Sequence, residues 1–168
     1  MPTVAVDGLN FEFPSTWETS KYDEWTFYRK QFSVVRDGLK ALDLLAVDPE
    51  GTAWLIEVKD YRVHARTKPS ALDDEVAGKV LDTLAAMLPA KGNANDAEEA
   101  KMATAVLGAK KLRVVLHLEQ PKKHSTLRPR AINPADVQQA LRRRLKPIDA
   151  HPFVAEASRM GSLAWTVT

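Results

Sequence analysis

Cysteine is absent from the sequence. Its absence excludes a disulfide framework, a thiolate metal site and a cysteine nucleophile. Long apolar runs are missing too, and none approaches the roughly 18 residues that suggest a membrane span. The opening stretch, MPTVAVDGLNFEF, lacks the basic segment followed by an apolar one that marks a secretory leader. His64, His117, His124 and His151 show no metal-ligand spacing. Internal repeats, low-complexity tracts and linkers are lacking. A cytoplasmic protein with no membrane partner is the expectation, with residues 1–168 as a single domain large enough for a real core.

What is present is ordinary in amount and uneven in placement. The hydrophobic fraction of 45% and charged fraction of 27% fit a globular protein. The net charge of +2 conceals a polarity along the chain: residues 1–60 carry 6 Lys/Arg against 11 Asp/Glu. Residues 109–146 carry 11 basic residues and 2 acidic ones, Glu119 and Asp136. Segregation of this kind suggests a polyanionic partner, although basic residues also solvate loops and helix faces.

The chain is organised around Ala41 to Asp60, two apolar runs joined by Asp48-Pro49-Glu50-Gly51-Thr52. Proline at the first loop position has the φ of a type I turn, and glycine at the third accepts a left-handed conformation. A three-residue loop pairs Asp48 with Thr52 and sets the register. Ala46 then faces Trp54, Leu44 faces Ile56 and Leu42 faces Val58. On the other face come Val47 with Ala53, Leu45 with Leu55, Asp43 with Glu57 and Ala41 with Lys59. Two carboxylates directly opposite on a strand pair sit roughly 5 Å apart and repel. Lys59 offsets that repulsion in part, and a bound metal ion would do so more fully.

Elsewhere, residues 3–13 read as a hairpin turning at Asp7-Gly8, and Pro14 to Asp23 as a loop or short helix. Trp25 to Val35 reads as a strand, making a three-strand meander with the central hairpin. A polar loop follows Asp60. Apolar residues at helical spacing (Val76, Val80, Leu81, Leu84, Leu88) predict a helix over 73–88, with Pro89 beyond its end. A second helix is expected at about 97–107 and a buried strand over 112–118. Asn133-Pro134 starts a third helix with Val137, Leu141 and Leu145 inward. A short helix over 152–160 and a last strand in LAWTV complete the reading. The fold class is α/β, a central mixed sheet with an antiparallel meander, flanked by helices on both faces.

Asp43, followed 14 positions later by Glu57-Val58-Lys59 on such a hairpin, resembles the PD-(D/E)XK nuclease superfamily, the restriction-endonuclease-like fold with its αβββαβ core. The resemblance spans roughly residues 25–118 and is one of pattern; Leu42 stands where the nominal proline would. It implies a metal-dependent nuclease in which Asp43, Glu57 and the Val58 carbonyl bind magnesium or manganese, and Asp43, Glu57 and Lys59 are catalytic. Many members add a carboxylate from a helix before the first strand. Glu24 is the first candidate here, with Asp23 and Glu18 behind it. Glu75 and Lys79, on the next helix, could also face the site, but a solvated helix face is the first reading for both.

The expected partner is nucleic acid, DNA ahead of RNA. Lys110, Lys111, Lys122, Lys123, Arg128, Arg130, Arg142, Arg143 and Arg144 are the candidate phosphate contacts. A homodimer would suit double-strand cutting. Two other readings compete: a catalytically inactive nucleic-acid-binding module on the same fold, and a partner-binding structural protein whose carboxylates form a surface salt-bridge cluster.

Overall fold

The computed structural model describes residues 1–122 and 131–168. Its central hairpin follows the turn chemistry. Gly51 takes φ 85°, the Asp48 amide donates to the Thr52 carbonyl at 3.0 Å, and the Asp48 carboxylate accepts from the Thr52 amide at 2.8 Å. Strands β4 (Leu44–Val47) and β5 (Thr52–Asp60) then pair Leu44 with Ile56, Leu45 with Leu55, Ala46 with Trp54 and Val47 with Ala53, in the expected register. The ladder stops one pair short of Asp43.

An N-terminal hairpin comes first, β1 (Thr3–Val6) and β2 (Leu9–Glu12), turning at Asp7 (φ 49°) and Gly8 (φ 80°). The next strand, β3 (Glu18–Lys21), lies where a loop or short helix was expected. It pairs antiparallel with β4. The expected strand from Trp25 to Val35 is instead a run of tight helical turns, Tyr22–Glu24, Phe27–Gln31 and Phe32–Val34. Trp25 and Phe27 are buried while Val34 and Val35 are exposed, a distribution that turns satisfy and an alternating strand does not. The Glu99 carboxylate anchors this run by accepting from the Thr26 and Phe27 amides at 2.6 and 3.0 Å. Removing it with Glu99→Ala strands both amides. The expected cost is about 2 kcal/mol, read as a lower urea midpoint.

Helix α1 spans Leu72–Asn93 and carries Pro89 inside it, not beyond its end. Leu81 and Leu88 prove exposed, whereas Val76 and Val80 are buried. Helix α2 is Ala97–Leu107, capped by the Asp96 carboxylate. Strand β6 (Lys111–Glu119) runs parallel to β5. Helix α3 (Pro134–Leu145) starts at the Asn133 cap. In place of the expected helix over 152–160 there is a strand, β7 (Phe153–Ala155), parallel to β6. Of LAWTV, only β8 (Thr166–Val167) is strand.

Two sheets result: a mixed five-stranded one in the order β3-β4-β5-β6-β7, and an antiparallel one in the order β1-β2-β8. The expectation of helices on both faces is corrected. One apolar face, with Leu45, Ala53, Leu55, Val114 and Leu116, packs against α1, α2 and α3. The other, with Leu44, Ala46, Ile56, Val58 and Val115, is covered by Phe11, Phe13 and Trp165 of the small sheet and its flanks. Both faces needed a cover, and aromatic residues on and beside β2 and β8 supply one of them. Among the described residues no helix is long and apolar enough to cross a membrane.

Candidate functional site

Side chains alternate along β5, so Glu57 and Lys59 point to the helical face with Leu55, while Val58 points to the small sheet. Asp43 lies just before β4. Its backbone carbonyl accepts from the Tyr22 amide at 3.0 Å, and its carboxylate accepts from the Val58 amide at 2.7 Å. The side chain thus takes over where the β4–β5 ladder ends, and holds Asp43 against the Glu57-Val58-Lys59 stretch.

Glu57 is fully buried. One carboxylate oxygen meets the Lys79 ammonium at 2.5 Å and the Lys59 ammonium at 3.0 Å; the other is buried without a hydrogen-bond partner. Lys59 also meets Glu75 at 2.9 Å, and Glu75 is gripped by Lys68 at 3.0 Å and Arg66 at 2.7 Å. Glu75 and Lys79 are four residues apart on α1, so one helical face delivers both to the strand. The solvated-face reading of these two residues is corrected: they are built into the cluster. Their position flanking the buried Leu72, Val76 and Val80 stripe was the available signal.

The electrostatics follow from burial and proximity. Burial, then the neighbouring Glu57, pushes the Asp43 carboxyl up to about 7, against the opposing pull of the Val58 amide and the two lysines. Burial disfavours the Glu75 carboxylate, yet hydrogen bonds from Lys59, Lys68 and Arg66 hold it below the usual carboxylate range. Burial likewise disfavours the Lys59 ammonium, but Glu57 and Glu75 outweigh that and keep it more firmly protonated than a free lysine.

An acid whose folded-state pKa is raised destabilises the fold as it ionises. For Asp43 that contribution is absent below about pH 4, grows up to about pH 7 and is complete above. Asp43→Asn keeps an acceptor for the Val58 amide and removes the charge. In metal-free buffer it is expected to be more stable than the parent by about 2–4 kcal/mol at pH 8, with the gap closing near pH 4. Urea unfolding at both pH values measures it.

Glu24 is exposed and paired with Lys21 at 2.6 Å, and Glu18 pairs with Lys101 at 3.6 Å. Asp23 is the acidic residue of this segment that feels Asp43: burial, then repulsion from Asp43, raises its carboxyl, and one of its oxygens is buried without a hydrogen bond. Among the described residues no group of three His, Asp or Glu side chains is clustered closely enough to enclose a metal ion. Asp43 and Glu57 are therefore a two-carboxylate pair, and the bare Glu57 oxygen is the feature that fits a cation. Magnesium keeps several waters and needs few protein ligands.

The basic candidates are dispersed. Lys110 and Lys111 stand at the start of β6, where Lys111 pairs with Thr52. That is seven residues from Lys59, or about 23 Å along the strand. Lys122 is exposed just past the other end of β6. Lys123, Arg128 and Arg130 lie outside the described residues. Arg142 lines a cavity of about 210 Å³ with Trp54, Arg113 and His151. Arg143 is exposed, and Arg144 is paired with Asp73 and Asp74 at the start of α1.

No family model matches the chain, and no solved structure matches it. Among curated proteins it is similar to the cysteine–tRNA ligase of Neisseria meningitidis serogroup A / serotype 4A (strain DSM 15465 / Z2491), with 29% identity over 159 residues. That alignment takes in 77% of this chain and 23% of the ligase. The chain thus spans under a quarter of the length of this relative.

Proposed function

We propose that the chain is a metal-dependent nuclease of the PD-(D/E)XK type, hydrolysing phosphodiester bonds, with DNA as the first substrate to try. The observation that carries this reading is the Asp43–Glu57 pair: two neighbouring carboxylates that repel each other, one with a buried oxygen that has no hydrogen-bond partner, and Lys59 against Glu57. The antiparallel order β3-β4-β5, then helix, then parallel β6 supports a restriction-endonuclease-like core.

In this reading Asp43, Glu57 and the Val58 carbonyl hold magnesium or manganese. The ion would lower the pKa of a bound water and offset charge on the phosphate oxygens. The chain's own residues do the rest. The Asp43 carboxylate is fixed by the Val58 amide, so it enters the reaction already oriented. Lys59 serves as a cation facing the charge that develops on the phosphate. Glu75 is a positioning residue, holding the Lys59 ammonium from the helix side.

The test is incubation with single- and double-stranded DNA and RNA, with magnesium, with manganese and with chelator. RNA belongs in the panel because the relative's name includes tRNA. Cleavage requiring the divalent ion and lost in Lys59→Met is the expected result. No cleavage of any substrate, or cleavage untouched by the variant, would overturn the proposal.

A further inference from the structure

We infer that the cavity beyond the end of β5 is a seat for a phosphate group, occupied in use by a phosphate of a nucleic-acid strand next to the one that is cut. The second half of this inference rests on the proposed nuclease reading; the first does not.

The cavity, of about 290 Å³, is lined by Lys59, Tyr61, His64, Arg66 and Lys68. It lies past the carboxyl end of β5, which pairs parallel with β6. Open α/β sheets bind ligands at that end of their strands. The loop that walls it sits apart from the candidate metal ligands but shares Lys59 with them.

Charge sets the kind of occupant. Lys59, Arg66 and Lys68 all converge on the single carboxylate of Glu75. Glu57, which Lys59 also touches, is matched by Lys79. Three cations therefore share one carboxylate, and the wall of the cavity carries surplus positive charge. Two other carboxylates line the cavity without removing it. Asp60 is held by the Arg62 guanidinium through both its oxygens, at 2.9 and 2.7 Å, and Asp7 stands on the exposed rim.

Geometry narrows the class further. Arg66 is fastened through Nη1 to the Tyr61 hydroxyl at 3.1 Å and through Nη2 to the Ser70 carbonyl at 2.8 Å. Its planar fork is thereby fixed before any ligand arrives. Lys68, half exposed, adds a mobile point charge. With its Nη groups committed to Tyr61, Glu75 and Ser70, Arg66 acts as a fixed positive charge, and the mobile Lys68 ammonium supplies the donor that reaches a phosphate oxygen. Lys59 links this seat to the carboxylate pair, so a strand with one phosphate at Asp43 and Glu57 would place a neighbouring one here.

The experiment uses the full chain with chelator present, so that metal plays no part. Inorganic phosphate and the dinucleotide pTpT are titrated separately while backbone amide shifts of residues 61–71 are followed, and each is then competed against an oligonucleotide. Saturable shifts in this loop with both ligands, displaced by the oligonucleotide, are expected. Arg66→Gln and Lys68→Gln should each weaken binding about tenfold. Lys68→Gln, at a half-exposed position, keeps the test open if Arg66→Gln fails to fold. No shift with phosphate, or affinities unchanged in the variants, would overturn the seat. Phosphate binding that no oligonucleotide displaces would assign the seat to free phosphate and overturn the nucleic-acid half. Bound phosphate without cleavage under the magnesium or manganese assay would remove the nuclease reading and leave the seat standing.

Discussion

Asp43→Asn, Glu57→Gln and Lys59→Met should each lower metal-dependent cleavage by about 10²–10³-fold, and any two together should cost little more than one. In the proposed reading the three groups act as a unit, so their losses do not add. Asp43→Asn is the informative member because its two effects have opposite sign. The like charge facing Glu57 is removed, so the metal-free fold gains stability at pH 8, while the pair that would hold the ion is broken. A variant that is both more stable and inactive cannot owe its inactivity to unfolding. Glu57→Gln lacks this separation, since it leaves the Lys79 ammonium without its partner, and Lys59→Met lacks it because it removes one of the cations on Glu57 and one of those on Glu75.

Glu75→Gln is expected to destabilise the protein by about 3 kcal/mol. Three cations face this carboxylate, and removing its charge leaves them repelling one another in a poorly solvated place. The linkage has a definite direction. Glu75 has its folded-state pKa depressed, so its stabilisation is present above the ordinary glutamate range and is lost as pH falls below it. The difference between parent and variant should therefore be full at pH 7 and shrink as the solution is acidified below about pH 4. Thermal unfolding across pH 3–7 measures it. Where Glu75→Gln still folds, the catalytic consequence is a lower kcat with little change in KM, because Lys59 loses the contact that aims it.

Much of this arrangement was legible in the residues. The turn Asp48–Thr52 is local chemistry, so the register of Leu44–Val47 against Ala53–Ile56 could be worked out without coordinates. The expected Leu42–Val58 pair does not form, since Leu42 packs on the helical side and Val58 against the small sheet, and Asp43 reaches Val58 through its side chain. The misreadings occur where tertiary contacts overrode local pattern. Trp25 to Val35 is apolar enough for a strand, but Glu99, more than seventy residues away, caps its amides and makes it helical. Glu18–Lys21 carries no apolar alternation, and becomes a strand because β4 offers it an edge. Pro89 sits within α1, although a proline in that place reads as a stop signal. Glu75 and Lys79 looked like solvated helix residues because no rule of spacing says which strand a helix will cover. Once α1 lies over β5, their four-residue interval makes them partners of Lys59 and Glu57.

The lysine pair on Glu57 leads to the most direct measurement. Lys79 and Lys59 share one Glu57 oxygen, and the other oxygen has no hydrogen-bond partner. A crystal soaked in manganese should show an anomalous peak within roughly 2.1–2.3 Å of both an Asp43 and a Glu57 carboxylate oxygen, with Lys59 still against Glu75. A fully soaked crystal with no manganese between these two carboxylates would contradict the account at its centre.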